Sequence, residues 1–297
     1  MFKKITKSLA VLLLIVVIGI FVSLIIMSWP AIEKFGIGFI WGSSWNPVTE
    51  NFGALTAILG TIITSFVAIV IAVPLSFCIA VFLTQIAPKK VSAVFSQVIE
   101  LMAAVPSIIY GMWGLFVFAP IMAQYVQPFL INTFQNVPVL NFIFGGFPMG
   151  IGVFTAGVIL AMMIIPLISS VIRDVVNTSP AVLKEASYST GSTRFEYVFK
   201  VLLPYCKNGI LGAVILGLGR ALGETMAVTF VIGNSHGFFK GLFMPGTTIS
   251  ATIANEFTEA LGKIYPAALI ELGLVLFVIT FIVLCISRYL LKKRSDA

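Results

Sequence analysis

Six runs of apolar residues, near 9–28, 57–84, 94–120, 149–172, 209–233 and 266–288, dominate this 297-residue sequence. A helix rises about 1.5 Å per residue, so about twenty residues cross the roughly 30 Å hydrocarbon core of a bilayer. Inside lipid every backbone N–H and C=O must find its partner within the protein, and runs of this length satisfy that demand as helices. The expectation is an all-α polytopic membrane protein, one membrane domain over 1–297 with six transmembrane helices. Only 10% of residues are charged, against about 25% in a soluble domain.

The formal charge of +7 raises nucleic-acid binding as a class, but its distribution excludes it. With the N-terminus in the cytosol, the inner segments hold Lys3, Lys4, Lys7, Lys89, Lys90, Arg173, Lys184, Arg194, Lys200, Lys207, Arg288, Lys292, Lys293 and Arg294. The outer segments hold only Lys34, Lys240 and Lys263. This bias is a positive-inside signal that places both termini in the cytosol, with membrane lipid as the partner of the basic excess. The first run is long for a signal sequence, and no small-x-small site follows Ile26-Met27-Ser28-Trp29-Pro30, so it reads as a retained helix. Cys78, Cys206 and Cys285 carry no disulfide or metal spacing, and Cys206 is expected in a cytosolic loop. His236, the lone histidine, lacks a partner for a metal site, so no metal is expected.

Trp29, Trp41 and Trp45 suit indoles at headgroup level in an outer loop. Residues 121–147 lack charge and read as a neutral loop on the outer surface; 247–257 reads as a short amphipathic helix. Pro74, Pro106 and Pro166 fall inside the second, third and fourth runs, where each removes a backbone hydrogen bond. Glu100 falls in the third run, as a gate or a snorkelling side chain, and Glu271 near the outer interface of the sixth.

Arg220 stands near the middle of the fifth run, with Glu224 four residues on. A guanidinium at the bilayer centre costs about 2.5–3.5 kcal/mol, so it should face protein or water and serve a function. On a continuous helix Arg220 and Glu224 share a face. Ala213, Gly217, Gly223 and Ala227 follow the same stripe, admitting either a close helix or a solute. The planar fork of a guanidinium can grip two oxygens of an oxyanion, and Glu224 can hold Arg220 when the site is empty. Thr225, Ser107 and Tyr110 are candidate hydroxyl donors to the same path.

Between the fourth and fifth runs, the polar segment 173–208 reads as two short helices. Ser179 is a candidate cap for the first, Gly191 separates the two, Thr193 with Glu196 makes a capping box, and Pro204 breaks the run before the fifth span. Glu185-Ala186-Ser187, then Gly191, then Val201, Leu203 and Pro204 resemble the EAA loop of ABC-importer permeases. Ser187 stands where that family has a third alanine, and Val201 where it has isoleucine. Arg220-Ala221-Leu222-Gly223-Glu224-Thr225-Met226-Ala227-Val228, ending at Gly233-Asn234, resembles the fifth span of the PstC-type phosphate permeases. So do Pro106-Ser107-Ile108-Ile109-Tyr110-Gly111-Met112-Trp113-Gly114, and Phe52-Gly53 with Gly60-Thr61.

The resemblance covers about 45–235 and implies a Type I ABC importer permease fold in a prokaryotic inner membrane. It implies a phosphate path shared with a PstA-type second permease. Two cytosolic ATPase subunits and an extracytoplasmic phosphate-binding protein would complete the assembly. Glu185, Ala186 and Gly191 would couple to the ATPase. The chain has no Gly-x4-Gly-Lys-Ser/Thr motif, so it is expected to bind no cofactor itself, with ATP held on the partner subunits, and it is not expected to be an enzyme. Sulfate or molybdate in place of phosphate, an ATP-independent channel or secondary transporter, and an enzyme acting on a lipid phosphate remain the alternatives.

Overall fold

The computed structural model describes residues 2–238 and 241–295. Lys240 lies outside the described residues, as do the side chains of Lys292, Lys293 and Arg294. Among the described residues, six helices are long and apolar enough to cross a membrane: α1 (Phe2–Phe35), α2 (Leu55–Ile86), α4 (Ser107–Phe134), α5 (Val153–Asn177), α7 (Arg194–Leu222) and α10 (Ile264–Tyr289). Shorter helices lie between them: α3 (Lys89–Ala104), α6 (Ala181–Ser189), α8 (Met226–Val231) and α9 (Ile249–Glu256). A two-stranded antiparallel hairpin, β1 (Trp45–Asn46) and β2 (Asn51–Phe52), pairs Trp45 with Phe52.

The core forms where α2 and α5 meet. Ala68 and Ala72 of α2 and Ala156, Leu160, Ile164 and Ile168 of α5 are fully buried. A Cβ at Gly157 would run into Val67, so the two backbones sit closer there than any larger residue permits. Pro74 and Pro166 stay inside α2 and α5. Near them, Ser76 Oγ donates to the Ile165 carbonyl at 3.2 Å, a link between the two helices. α7 joins this core through Ala213 and Gly217. Helix α1 leans on α10 and leaves its apolar residues exposed, as lipid contact requires. At the opposite end of the bundle, Ala31, Phe39, Phe52, Ile249 and Leu269 form a second cluster that seats the hairpin and α9.

The third run is not one helix. It divides at Val105–Pro106, where Pro106 has ψ 137° and caps the next helix, and the spanning helix is Ser107–Phe134. The membrane segment is therefore displaced toward the C-terminus relative to 94–120. Residues 121–134, expected in a surface loop, are helical. The apolar pattern extends that far because two prolines are accommodated rather than obeyed as breaks.

Pro120, Pro128 and Pro204 each follow a widened π turn: Gly114–Phe118, Met122–Val126 and Tyr197–Leu202. A proline lacks the N–H that would bond the carbonyl four residues back, and its ring collides with that carbonyl. Widening the preceding turn to an i→i+5 pattern relieves both problems. So Pro204 does not interrupt the chain before the fifth span; α7 runs through it from Arg194 to Leu222. Cys206 consequently lies buried in α7, not in a loop.

Candidate functional site

The fifth run is interrupted at the residues singled out in it. Helix α7 ends at Leu222, Gly223 to Thr225 leave the helical path, and α8 begins at Met226. Arg220 and Glu224 therefore do not share a helix face. They also form no ion pair; the carboxylate pairs among the described residues involve Lys34, Arg173, Lys200 and His236. Glu224 Oε1 instead accepts a hydrogen bond from the Ala227 amide at 3.3 Å, satisfying a backbone donor in the first turn of α8. Arg220 occupies the last turn of α7, where a cation is favourable beside the unpaired carbonyls. Its side chain is exposed.

Span α4 brings the other path candidates to this break. A Cβ on Gly111 would meet the Ala227 Cα and Met226 carbonyl at 3.1 Å, so only glycine lets α4 lie directly on α8. Gly114 is similarly closed off by Ile159 and Val231. Tyr110, one residue before Gly111, lies within electrostatic reach of Arg220. Its hydroxyl donates to the Met102 carbonyl at 3.0 Å, a second bond to an acceptor that the Val105 amide also reaches at 3.3 Å at the end of α3. Ser107 is half-buried in the first turn of α4. The Thr225 hydroxyl makes a long 3.4 Å contact to Gly223 O, and its carbonyl accepts from Thr229 Oγ1 at 2.8 Å.

The small-residue stripe of α7 serves packing. A Cβ at Gly217 would strike Ile168, and one at Gly209 would strike Val175. These glycines admit α5 as a close neighbour and leave no room for solute on that face.

The connecting element between α5 and α7 is a capped turn. Gly191 has φ +82°, while Gly191 N–H donates to Tyr188 O at 3.0 Å and Ser192 N–H to Ser187 O at 3.2 Å. That is a Schellman close to α6, which requires a left-handed residue at the glycine. Thr193 and Glu196 then form the expected capping box at the start of α7. Ser179 does not cap α6. Pro180 holds the cap position, and Ser179 Oγ donates to Val176 O at 2.7 Å. Tyr188 and Tyr197 pack with ring centroids 5.7 Å apart, bracing the turn. Glu185, Ala186 and Gly191 project from this braced turn as exposed residues.

Two charged clusters were not evident in the sequence. Arg173 Nη2 lies 2.8 Å from Glu100 Oε1 and 3.0 Å from Asp174 Oδ1, so Glu100 ties α3 to the end of α5. At the opposite end, Glu256 gathers Trp45, Tyr265 and His236, residues up to 211 positions from it. Trp45 stacks on His236 and is thus not a headgroup anchor, whereas Trp41 is 72% exposed. Glu271 is only 6% exposed, enclosed by the protein. The expected helix over 247–257 is present as α9, with Thr248 accepting from the Ala251 amide.

Residues 73–296 match the family described as binding-protein-dependent transport system inner membrane component. The chain is 53% identical to the phosphate transport system permease protein PstC of Mesorhizobium japonicum, over 98% of its own length and 89% of that protein. The chain belongs to the PstC family. It is 51% identical to the protein of that name from Pasteurella multocida, over 99% of this chain and 91% of that one. With a probable PstC of Methanocaldococcus jannaschii it shares 39% identity over 89% and 84% of the two chains.

Among solved structures, the fold is similar to a bacterial alginate ABC transporter chain at TM-score 0.63 and 15% identity, covering 100% of this chain and 99% of that one. It is also similar to a chain of the inward-facing MetNI methionine ABC transporter at TM-score 0.55 and 18% identity, covering 81% and 94%. The PstC-family chain is therefore an inner-membrane, multi-pass ABC importer permease. As a component of a binding-protein-dependent system it works with an ATPase and a binding protein.

Proposed function

We propose that this PstC-family chain carries inorganic phosphate across the inner membrane along a path on which Arg220 is the anion contact. The observation that carries the reading is an exposed guanidinium at the end of a membrane-length helix, with no carboxylate partner among the described residues, beside a break whose following helix packs on Gly111 of α4. Phosphate has one to two negative charges near neutral pH and oxygens spaced for a bidentate fork. Because Glu224 is engaged with the Ala227 amide, Arg220 meets the anion without first breaking an ion pair. Thr225 and Ser107 supply hydroxyl donors as the anion passes, and Tyr110 joins them when its hydroxyl turns from the Met102 carbonyl.

The path is completed by a PstA-type permease. Two cytosolic ATPase subunits bind the ATP, and an extracytoplasmic phosphate-binding protein delivers the anion. Both termini of this chain lie in the cytosol, as the basic residues of the inner segments require. The ATPases engage Glu185, Ala186 and Gly191. Their closure shifts the membrane domain between outward- and inward-open populations, each nucleotide state favouring one.

The test is ATP-dependent uptake of labelled phosphate into vesicles holding the whole assembly, with sulfate and molybdate as competitors. Arg220→Ala should abolish uptake while the complex still assembles, and Arg220→Lys should impair it through loss of the fork. Normal uptake by Arg220→Ala would exclude the role.

A further inference from the structure

The first turns of α7 lean against the inner half of α2 and leave a groove of about 510 Å³ between them. Its walls are apolar: Phe77, Val81 and Phe82 from α2 face Phe195 and Phe199 from α7. The rings of Phe195 and Phe199 lie 4.4 Å apart, and Phe77 meets Phe199 at 6.3 Å. Polar groups gather at one end. Gln85 accepts a hydrogen bond there from Lys184 Nζ of α6 at 3.1 Å, and Arg194 lines the same end.

Arg194 is exposed and has no ion-pair partner among the described residues. Its helical neighbour Glu196 is already occupied by Lys200 and by the capping box. The groove therefore presents a free cation at one end and hydrocarbon along its length. From Phe77 to Gln85 the helix climbs about 12 Å, close to the roughly 15 Å depth of one leaflet's hydrocarbon. Beyond Gln85 the chain reaches Lys89 and Lys90, which mark the headgroup boundary.

We propose that this groove seats one anionic phospholipid, its phosphate on Arg194 with Lys184 nearby and an acyl chain along Phe77, Val81 and Phe199. The inference rests on the orientation given above, which puts this end at the cytosolic face. Apolar walls at hydrocarbon depth and a free cation at headgroup depth match the polarity of such a lipid. A helix from another subunit would have to bring its own carboxylate to avoid burying Arg194 unpaired. Since Arg194 opens the helix that follows Gly191, the lipid braces the element that carries Glu185 and Ala186.

Native mass spectrometry of the intact transporter, taken from bilayers of equal phosphatidylglycerol and phosphatidylcholine, tests this. The wild type should retain one phosphatidylglycerol that Arg194→Gln loses, the preference falling by about fivefold, as expected for one interfacial cation. Arg194→Lys should keep it. Val81→Trp, which fills the groove without touching the cation, should expel that lipid. Equal retention by wild type and Arg194→Gln overturns the proposal. So does a cross-link from the groove residue Cys78 to a protein partner, which would show another subunit covering the site.

Discussion

Trp45 Nε1 donates to Glu256 Oε2 at 2.7 Å, and Tyr265 donates to the same oxygen at 2.6 Å, so the hairpin, α9 and α10 are joined at one carboxylate. His236 Nε2 lies 2.7 Å from the other oxygen. This junction anchors the chain that descends to α8 and the break beside Arg220. Hydrogen bonds to a charged acceptor contribute about 1.5–3 kcal/mol each. Trp45→Phe or Tyr265→Phe should lower thermal stability by about that amount, read as the unfolding midpoint of the solubilised complex.

The same carboxylate gives a pH prediction. Burial pushes Glu256 up, but bonds from His236, Tyr265 and Trp45 outweigh it and hold the group below its ordinary 4.5. A carboxylate depressed in the folded state contributes stability that is fully present above that ordinary value and lost as pH falls through the lower folded one. Stability should thus fall below about pH 4.5 in the wild type, and this slope should flatten in Glu256→Gln. An unchanged acid slope in the variant would place the titration elsewhere.

Because Glu224 serves the Ala227 amide, it and Arg220 should act separately on stability. Losses from Arg220→Ala and Glu224→Ala should add within about 0.5 kcal/mol in the double variant. Glu224→Ala alone should cost about 1 kcal/mol, the usual value of a lost helix-terminal acceptor. A larger coupling in a double-mutant thermal series would indicate that the two residues pair.

Gly191 has open space around it but a φ of +82°. Gly191→Ala should cost about 1–2 kcal/mol through backbone strain alone. If the turn transmits the ATPase stroke, the same change should lower uptake more than ATP hydrolysis. Proportional loss of both would show that the turn only supports folding.

Gly60 approaches the Thr247 carbonyl so closely that a Cβ there would overlap it. Gly60→Ala should therefore destabilise by about 1–3 kcal/mol, the cost of overpacking against backbone that cannot step aside. Thermal unfolding of the assembled complex gives the measurement, with Gly219, where a Cβ would make only an ordinary 3.8 Å contact to Leu284, as a control position.

The presence of six spans was legible because a long apolar run lowers its free energy in lipid without reference to any other part of the chain. The capping box at Thr193 and the turn at Gly191 were legible for the same reason: both are satisfied within a few residues. Arg220 stood out because the cost of a cation within an apolar, membrane-length run attaches to the residue itself. The course of the backbone through prolines and glycines was not local. Pro106 ends a helix while Pro204 sits inside one, and a π turn makes the difference. The break at Gly223–Thr225 holds as α8 packs on Gly111, and it separates two charges that a continuous helix would have aligned. Glu100 with Arg173, and Glu256 with Trp45, meet only when distant helices dock. A one-dimensional pattern carries the preference of each segment for lipid or water. The partner of each charge and the fate of each weak helix point depend on which surfaces the packed bundle brings together.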